Sequence, residues 1–570
     1  MGRLLPLAAA LIGILALLVL FVPLLRDAGL AKGNDTLLHV GNVVECAYIL
    51  TDRLPPLDWL PDIAGGRGGP NFIYYGSLGF LGPAILVNLG LGPVDSIRIW
   101  IALTILVGFA AGFLWCSQFG GWKGGIAGGV LFVFGPYYFS LPYARGSYPE
   151  HQAYSLYPLV FFFAHRSATA AGWGAVAGLA ITLFLVVAIH TLSLLIVLPF
   201  VAVYSLIAAG IQGSRSPLWR CAAALGLGAV LLAPCLVAPL FEKDKVALGE
   251  QFMLPEAERL YATIGVPWHS LFNKETLDDI VSRCVPGRVH LLALAAAFLS
   301  ACVLTERRAR RFAYSVIALS VVALLLVEET AGAISVKAFP LLAYLQFPWR
   351  FLGIFNLFCA AAFASCFSKD SSLSEGRKLF AMAVAPILCA AVYFGNLPAM
   401  EVVHFKTDDR GNLRFSMTTL DHENKYMPAG AVLPAEPAPK LLLEVRDGEA
   451  WESRVLPNDF SYQVNLKSPQ RVKFHQYWFE GWKAEVDGQA VPIEKEKALG
   501  VCLVEVPAGS HDIRFHFSRT PRHAAALAVS AGGWLALSVA AILGLVRRLG
   551  GRSLRGKAPD EPRDPLGCRD

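Results

Sequence analysis

Three groups of polar residues stand at the ends of apolar segments, where chemistry on a membrane-borne molecule would be done. The first is Lys32-Gly33-Asn34-Asp35-Thr36-Leu37-Leu38-His39, which follows the apolar run Leu4 to Leu25. That run is long enough to cross a bilayer. With Asp35 opening a helix, Asp35 and His39 lie four positions apart on one face. A carboxylate beside an imidazole can take a proton from a hydroxyl. The same two residues also read as a helix cap and a solvated helix face.

The second group is Pro142-Tyr143-Ala144-Arg145-Gly146-Ser147-Tyr148-Pro149-Glu150-His151-Gln152. A short connection between two apolar segments keeps Arg145, Glu150 and His151 near the bilayer edge, within reach of Asp35. The other reading of Arg145 is a snorkelling side chain paired with Glu150. The third group is Tyr344-Leu345-Gln346-Phe347-Pro348-Trp349-Arg350-Phe351. An arginine opening an apolar span is costly unless paired or functional. The planar guanidinium of Arg350 can hold a phosphate bidentately, or snorkel to lipid headgroups. Phe347 and Trp349 suit the aromatic belt of a membrane interface. His190, in Val187-Ala188-Ile189-His190-Thr191-Leu192-Ser193, is either a satisfied polar group in a tight turn or a site residue facing the same cavity.

Other charged stretches carry less. Glu328-Glu329 marks an outer helix end. The segment 242–288 holds Glu242, Lys243, Asp244, Lys245, Glu250, Glu256 and Glu258, with Trp268-His269 and the pair Asp278-Asp279. That pair lacks a third ligand at fixed spacing, so no metal ligands are assigned and a divalent cation is left open.

The elements that must position these residues are membrane helices. The 570 residues are 55% hydrophobic and 16% charged, with mean hydropathy +0.51. This is the composition of a polytopic α-helical membrane protein. The net charge of +6 comes from basic residues in short loops, so no nucleic-acid partner is expected. The eleven cysteines include no CxxC and no Cys/His cluster. Cys46, Cys284 and Cys502 fall on the outer side in separate segments, and no structural disulfide is expected. The start, Met1-Gly2-Arg3 and then an apolar run through Pro23 and Arg26, reads as an uncleaved signal anchor.

About twelve transmembrane segments are expected, at 4–25, 97–117, 124–141, 153–165, 171–189, 191–209, 219–241, 289–304, 312–329, 350–367, 377–396 and 523–546. With the N-terminus inside, Lys123, His165-Arg166, Arg215 with Arg220, Arg307 to Arg311, Lys369 with Arg377-Lys378, and Arg547-Arg548 all fall on the cytoplasmic side. Positive inner loops are what membrane insertion selects. Counting 72–91 as a further span would invert every later loop. Those residues, broken by Gly76, Gly79, Gly82 and Pro83, are read as helices at the outer surface.

Between 397 and 522 the pattern changes to alternation. Leu441 to Arg446, Arg471 to Tyr477 and Asp512 to Phe517 read as strands, with turns at Val486-Asp487-Gly488 and Pro507-Ala508-Gly509. The organisation is thus a transmembrane domain over 1–396, an extracytoplasmic antiparallel β-domain over 397–522, a last transmembrane helix over 523–548, and a disordered cytoplasmic tail over 549–570.

At this point the layout resembles a known class. A first span is followed by an outer loop with Asp35, then by the juxtamembrane stretch Pro70-Asn71-Phe72-Ile73-Tyr74-Tyr75. A span beginning Ile97-Arg98 comes next, and Glu150 follows the third span. This resembles the GT-C class of integral-membrane glycosyltransferases. Arg145-Gly146 with Glu150, Phe347-Pro348-Trp349-Arg350, Glu480-Gly481-Trp482, Val486-Asp487-Gly488 and Pro507 to His511 resemble the bacterial YfhO-like and pyruvoyl-tetrahydropterin-synthase-related membrane proteins. The second label carries no pterin chemistry here. The resemblance implies an enzyme that transfers a sugar from a polyprenyl-phosphate-linked donor to a lipid, glycan or cell-wall acceptor at the outer face of a bacterial inner membrane. Both termini would be cytoplasmic. It implies Asp35 as base or as the residue that positions the acceptor, and Glu150 as the second acidic catalytic residue. By residue type alone His39 could serve as base too. By type and place, Arg145, His151, Arg350 and His190 would bind substrate. The chain departs from the class in having no Asp-x-Asp at either acidic position, which leaves a metal unassigned. It also lacks the Lys-Pro-Pro of some first loops.

Two other functions fit the composition. One is a transporter or flippase of a lipid-linked glycan, which would want ionisable residues midway along its spans. The other is a non-catalytic assembly protein with the β-domain as its binding module, in which Asp35 and Glu150 need not converge.

Overall fold

The computed structural model describes residues 4–26, 29–52, 57–170, 172–247, 287–345, 347–371, 373–396, 402–403 and 426–555. Among them, four helices are long and apolar enough to cross a membrane: Pro93–Val133, Ser193–Gln212, Glu375–Tyr393 and Pro521–Val546. Of the other expected spans, some are shorter or broken helices, while Tyr148–Thr169 and Arg307–Leu325 are unbroken but carry more polar residues.

The breaks have local causes. The expected single span at 219–241 is two helices, Ser216–Leu231 and Ala233–Phe241, bent by 78°. Pro234 sits at the start of the second one. It has no N–H to continue the ladder and crowds the preceding turn. The expected spans 97–117 and 124–141 are two arms of Pro93–Val133 that change direction at Gly121, with φ 60° and ψ −161°. Glycine alone takes that conformation at no steric cost. The second arm stops at Val133 and not at 141. Pro136–Ser140 and a single π turn, Leu141–Arg145, follow it. The expected outer loop at 142–152 is therefore almost wholly helical, because the helix Tyr148–Thr169 begins just beyond Gly146 and Ser147. Residues 72–91 form Asn71–Tyr74 and the eleven-residue Leu78–Asn88. At about 1.5 Å per residue the latter is far shorter than a bilayer core.

The centre of the bundle is the helix Phe351–Ser365, every residue of which is buried. It is apolar on all sides, as a core helix must be. It packs on Pro93–Val133, Arg307–Leu325 and Arg288–Cys302. Arg350 stands immediately at its start.

The C-terminal strands form a two-sheet sandwich. We number β1 (Leu30–Ala31), β2 (Val402–Val403), β3 (Leu443–Glu444), β4 (Gly448–Leu456), β5 (Asp459–Leu466), β6 (Gln470–Tyr477), β7 (Trp482–Val486), β8 (Gln489–Val491), β9 (Glu494–Lys495), β10 (Val501–Val506) and β11 (Gly509–Phe517). The strand orders are β3-β6-β10-β9 and β4-β5-β11-β7-β8. Phe474 of one sheet stacks on Phe515 of the other at 4.2 Å. The strand expected over Leu441 to Arg446 shortens to β3. Both expected turns are present. Asp487 and Gly488 have φ of 51° and 77°, as a tight hairpin requires.

Two features cross the expected boundary between the domains. β1, just before Asp35, pairs antiparallel with β2, Leu30 opposite Val403. The expected tail also begins late, because the last helix runs from Pro521 to Arg555. Residues 556–570 lie outside the described residues, as do Cys284, Glu250, Glu256, Glu258, Trp268, His269, Asp278 and Asp279. Cys46 and Cys502 are buried free thiols.

Candidate active site

Two glycines let the Asp35 and Arg145 segments touch. The Asp35 N–H donates to the Arg145 carbonyl at 2.9 Å. A Cβ on Gly33 would stand 2.2 Å from the Arg145 carbonyl carbon. A Cβ on Gly146, whose φ is +71°, would stand 2.0 Å from Thr36 Oγ1. Thr36 closes the turn by donating to the Ala31 carbonyl at 2.9 Å and accepting from the Gly33 N–H at 3.0 Å. Asp35 is the N-cap of Thr36–Ile49 but makes no side-chain cap bond. Its carboxylate faces Arg145 instead, Nη2 to Oδ2 at 3.9 Å.

Arg145 also meets Glu150, Nη1 to Oε2 at 3.0 Å, and Arg350 Nε lies 3.3 Å from Glu150 Oε1. The Tyr137 hydroxyl donates to Glu150 Oε1, and Ser147 Oγ donates to Oε2 at 3.4 Å. Arg350 Nη1 donates to the Leu345 carbonyl at 2.7 Å. The Glu150 side chain is 2% exposed and that of Asp35 25% exposed. The two carboxylates therefore differ in kind. Glu150 is saturated by two guanidiniums and two hydroxyls, and so holds the arginines in place. Asp35 is the more exposed of the two. The expected pairing of Arg145 with Glu150 is present.

The histidines divide differently from the expectation. His39 is buried one turn into the Asp35 helix, its ring 5.5 Å from Phe80 and 6.0 Å from Tyr148. His151 follows Glu150 in the chain but turns away from the charged cluster. Its ring meets Tyr138 edge-on at 4.7 Å, and neither ring nitrogen has a hydrogen-bond partner among the described residues. Both line an apolar crevice with Phe80, Trp100, Tyr148 and Gln152. His190 joins the charged cluster. Its Nδ1 lies 2.8 Å from Ser193 Oγ and its ring is edge-on to Tyr75 at 5.8 Å. Glu328, expected at an outer helix end, caps Glu329–Ala338 by accepting from the Ala331 N–H.

No sequence signal marks Tyr137 or Tyr426, and the stretches that hold Ser147 and Tyr75 give those two residues no role. The ring of Tyr75 stands 6.3 Å from that of Tyr426. Tyr426 arrives from the far side of the chain, and nothing in the local pattern marks it. Phe347 was visible only as an interface aromatic, whereas both guanidiniums lie over its ring, at 5.8 Å for Arg145 and 5.5 Å for Arg350. Among the described residues, no group of three or more His, Cys, Asp or Glu is placed to hold a metal ion.

The helix that carries Asp35 is attached to the C-terminal part of the chain at both ends. β1 precedes it and pairs with β2. The loop after it enters the sandwich. Trp59 is fully buried against Phe517, Trp482 and Phe479 at 5.1, 5.6 and 6.1 Å. Arg519 Nε and His523 Nδ1 reach the buried Asp58 carboxylate at 3.0 and 3.5 Å.

Solved structures of two proteins are similar to the chain at low identity. One is the arabinofuranosyltransferase AftD from Mycobacteria, at 16% identity and a TM-score of 0.37. That match covers 68% of this chain and 26% of AftD, so the chain spans about a quarter of its length. Another is ArnT from Cupriavidus metallidurans bound to undecaprenyl phosphate, at 12% identity and a TM-score of 0.31, covering 68% of this chain and 79% of ArnT. No curated protein matches the chain in sequence. Residues 72–248, which hold Arg145, Glu150, His151 and His190, match the family described as "6-pyruvoyl-tetrahydropterin synthase related domain; membrane protein".

Proposed function

We propose that the chain is a membrane glycosyltransferase, moving a sugar from a polyprenyl-phosphate-linked donor to a lipid, glycan or cell-wall acceptor on the outer face of a bacterial inner membrane. One observation carries the reading: Arg145 and Arg350 converge on Glu150, while Asp35, the accessible carboxylate, lies 3.9 Å from Arg145. The acceptor hydroxyl oxygen forms a bond to the anomeric carbon. The bond from that carbon to the phosphate oxygen breaks, and the phosphate leaves with the electron pair. Asp35 takes the hydroxyl proton. The guanidiniums stabilise the charge that grows on the departing phosphate. His190 stands at the same cluster to meet substrate, and His39 and His151 line the crevice beside it.

The polar cluster sits at helix ends. Asp35 precedes Thr36–Ile49, Glu150 is in the first turn of Tyr148–Thr169, and Arg350 precedes Phe351–Ser365. This favours transfer at a membrane surface over the alternating-access alternative, whose ionisable groups belong midway along spans. The convergence of Asp35 and Glu150 on Arg145 also favours it over a purely structural assembly role.

The test is mass spectrometry of lipid-linked sugars and surface glycans in cells lacking the protein. One glycan modification should vanish and one lipid-linked sugar accumulate. Wild-type chain should reverse this, and Asp35→Asn should not. An unchanged glycan profile would overturn the reading.

A further inference from the structure

Phe347, Trp349 and the two arginines form a layered arrangement that the charge pairing alone does not account for. Phe347 precedes Pro348, which biases it to extended backbone, and its φ and ψ are −129° and 115°. Pro348–Arg350 then turns as a short 3-10 helix, closed by the Arg350 N–H donating to the Phe347 carbonyl at 3.3 Å. This folds Trp349 back onto Phe347, with ring centroids 4.4 Å apart and planes 9° from parallel. The rings are thus fixed against one another, and Trp349 is itself buried. Against Phe347 lie both guanidiniums, at 5.8 and 5.5 Å, from chain positions more than two hundred residues apart.

Two buried guanidiniums side by side repel each other and cannot relieve this by losing a proton. Glu150 offsets the charge from one side, hydrogen-bonded by Arg145 and ion-paired with Arg350, and Asp35 stands 3.9 Å from Arg145. The electron-rich ring offsets it from another, since both cations lie within the range of a cation–π contact. Together they hold two cations ready for an anion.

We propose that Phe347 is a positioning residue that, backed by Trp349, holds Arg145 and Arg350 as a paired platform for the phosphate group of a lipid-borne substrate. The proposal deepens the transfer reading, on which it rests for the chemistry of its ligand, and binding tests it apart from turnover. Phe347→Leu keeps an apolar side chain and removes the π face. Phe347→Tyr keeps the face.

The experiment measures binding of farnesyl phosphate, farnesol and inorganic phosphate to the full chain in lipid nanodiscs by isothermal calorimetry. Phe347→Leu should weaken farnesyl phosphate about tenfold, as expected for losing contacts of this kind. It should leave farnesol binding unchanged, and Phe347→Tyr should bind like wild type. If Phe347→Leu does not fold, Phe347→Met carries the same expectations. Wild-type affinity for farnesyl phosphate in the variant without a π face would overturn the proposal. So would an equal loss for farnesol, failure of the wild type to bind farnesyl phosphate, or displacement of the lipid by inorganic phosphate at equal concentration. Sound binding of farnesyl phosphate by a wild type that transfers no sugar would sink the enzyme reading and leave this one standing.

Discussion

Trp59 Nε1 donates to Gln476 Oε1 across 2.8 Å, joining the loop beyond the Asp35 helix to strand β6 of the sandwich. Gln476 Nε2 in turn donates to the carbonyls of Pro61 at 3.1 Å and Gly66 at 2.8 Å. One buried amide therefore serves three partners on a loop that would otherwise need water. The β sandwich is held to the loop after Asp35 as a rigid attachment.

Replacing that amide should loosen the attachment without unfolding the sandwich. Gln476→Leu strands the indole N–H and two carbonyls, and a stranded buried group costs about 1–3 kcal/mol. Limited proteolysis should then cut within 57–69, where the wild type resists. If both proteins are cleaved alike, the loop is not held by this contact.

The two site carboxylates should respond differently to loss of charge. Glu150→Gln leaves two buried guanidiniums without their anion, and breaking a buried pair costs about 3–5 kcal/mol. A lower melting temperature and poor yield are expected. Asp35→Asn alters a partly exposed side chain and should leave melting unchanged, while transfer falls about a hundredfold or more. Thermal melting in detergent beside an activity assay separates the two. A stable Glu150→Gln, or a fully active Asp35→Asn, would contradict the assignment.

Arg350→Lys keeps the charge but loses the planar fork that engages both Glu150 and the Leu345 carbonyl. Weaker donor binding with residual turnover is expected, read as a raised KM with a smaller change in kcat. A wild-type KM would remove Arg350 from the phosphate site.

His511 gives a pH reporter on the sandwich. Its Nδ1 lies 2.7 Å from Asp487 Oδ2, and that hydrogen bond raises the imidazole pKa above its ordinary value. A group whose pKa is raised on folding contributes stability below its unfolded pKa and loses it as pH rises through the folded one. The hairpin should therefore weaken slightly from about pH 6.5 upward. NMR titration of labelled histidine should show the raised value, and Asp487→Asn should lower it. An unshifted titration in the wild type would disprove the pairing.

Topology can be checked by cysteine labelling of intact cells. Lys467, whose side chain is 80% exposed on the sandwich, should react from outside as Lys467→Cys. Ser553→Cys, beyond Arg547-Arg548, should not. The opposite pattern would invert the membrane orientation inferred from the basic loops.

By itself the sequence determined that this is a membrane protein with a β-rich C-terminal segment, because hydropathy and alternation are local properties of the chain. It also singled out Asp35, Arg145, Glu150 and Arg350, since charges at the ends of apolar segments are rare and costly. Tertiary structure decided where each stands and what it touches. Burial separated the saturated Glu150 from the more exposed Asp35, and burial is not written in spacing. Helix phase turned His151 away from its neighbour Glu150, while a turn brought His190 in. Pro234 bent a segment that hydropathy reads as continuous, because a smoothed apolar signal is blind to backbone direction. Phe347 looked like one more interface aromatic until two guanidiniums from distant helices were found against its ring. Such a contact exists only after the bundle has closed.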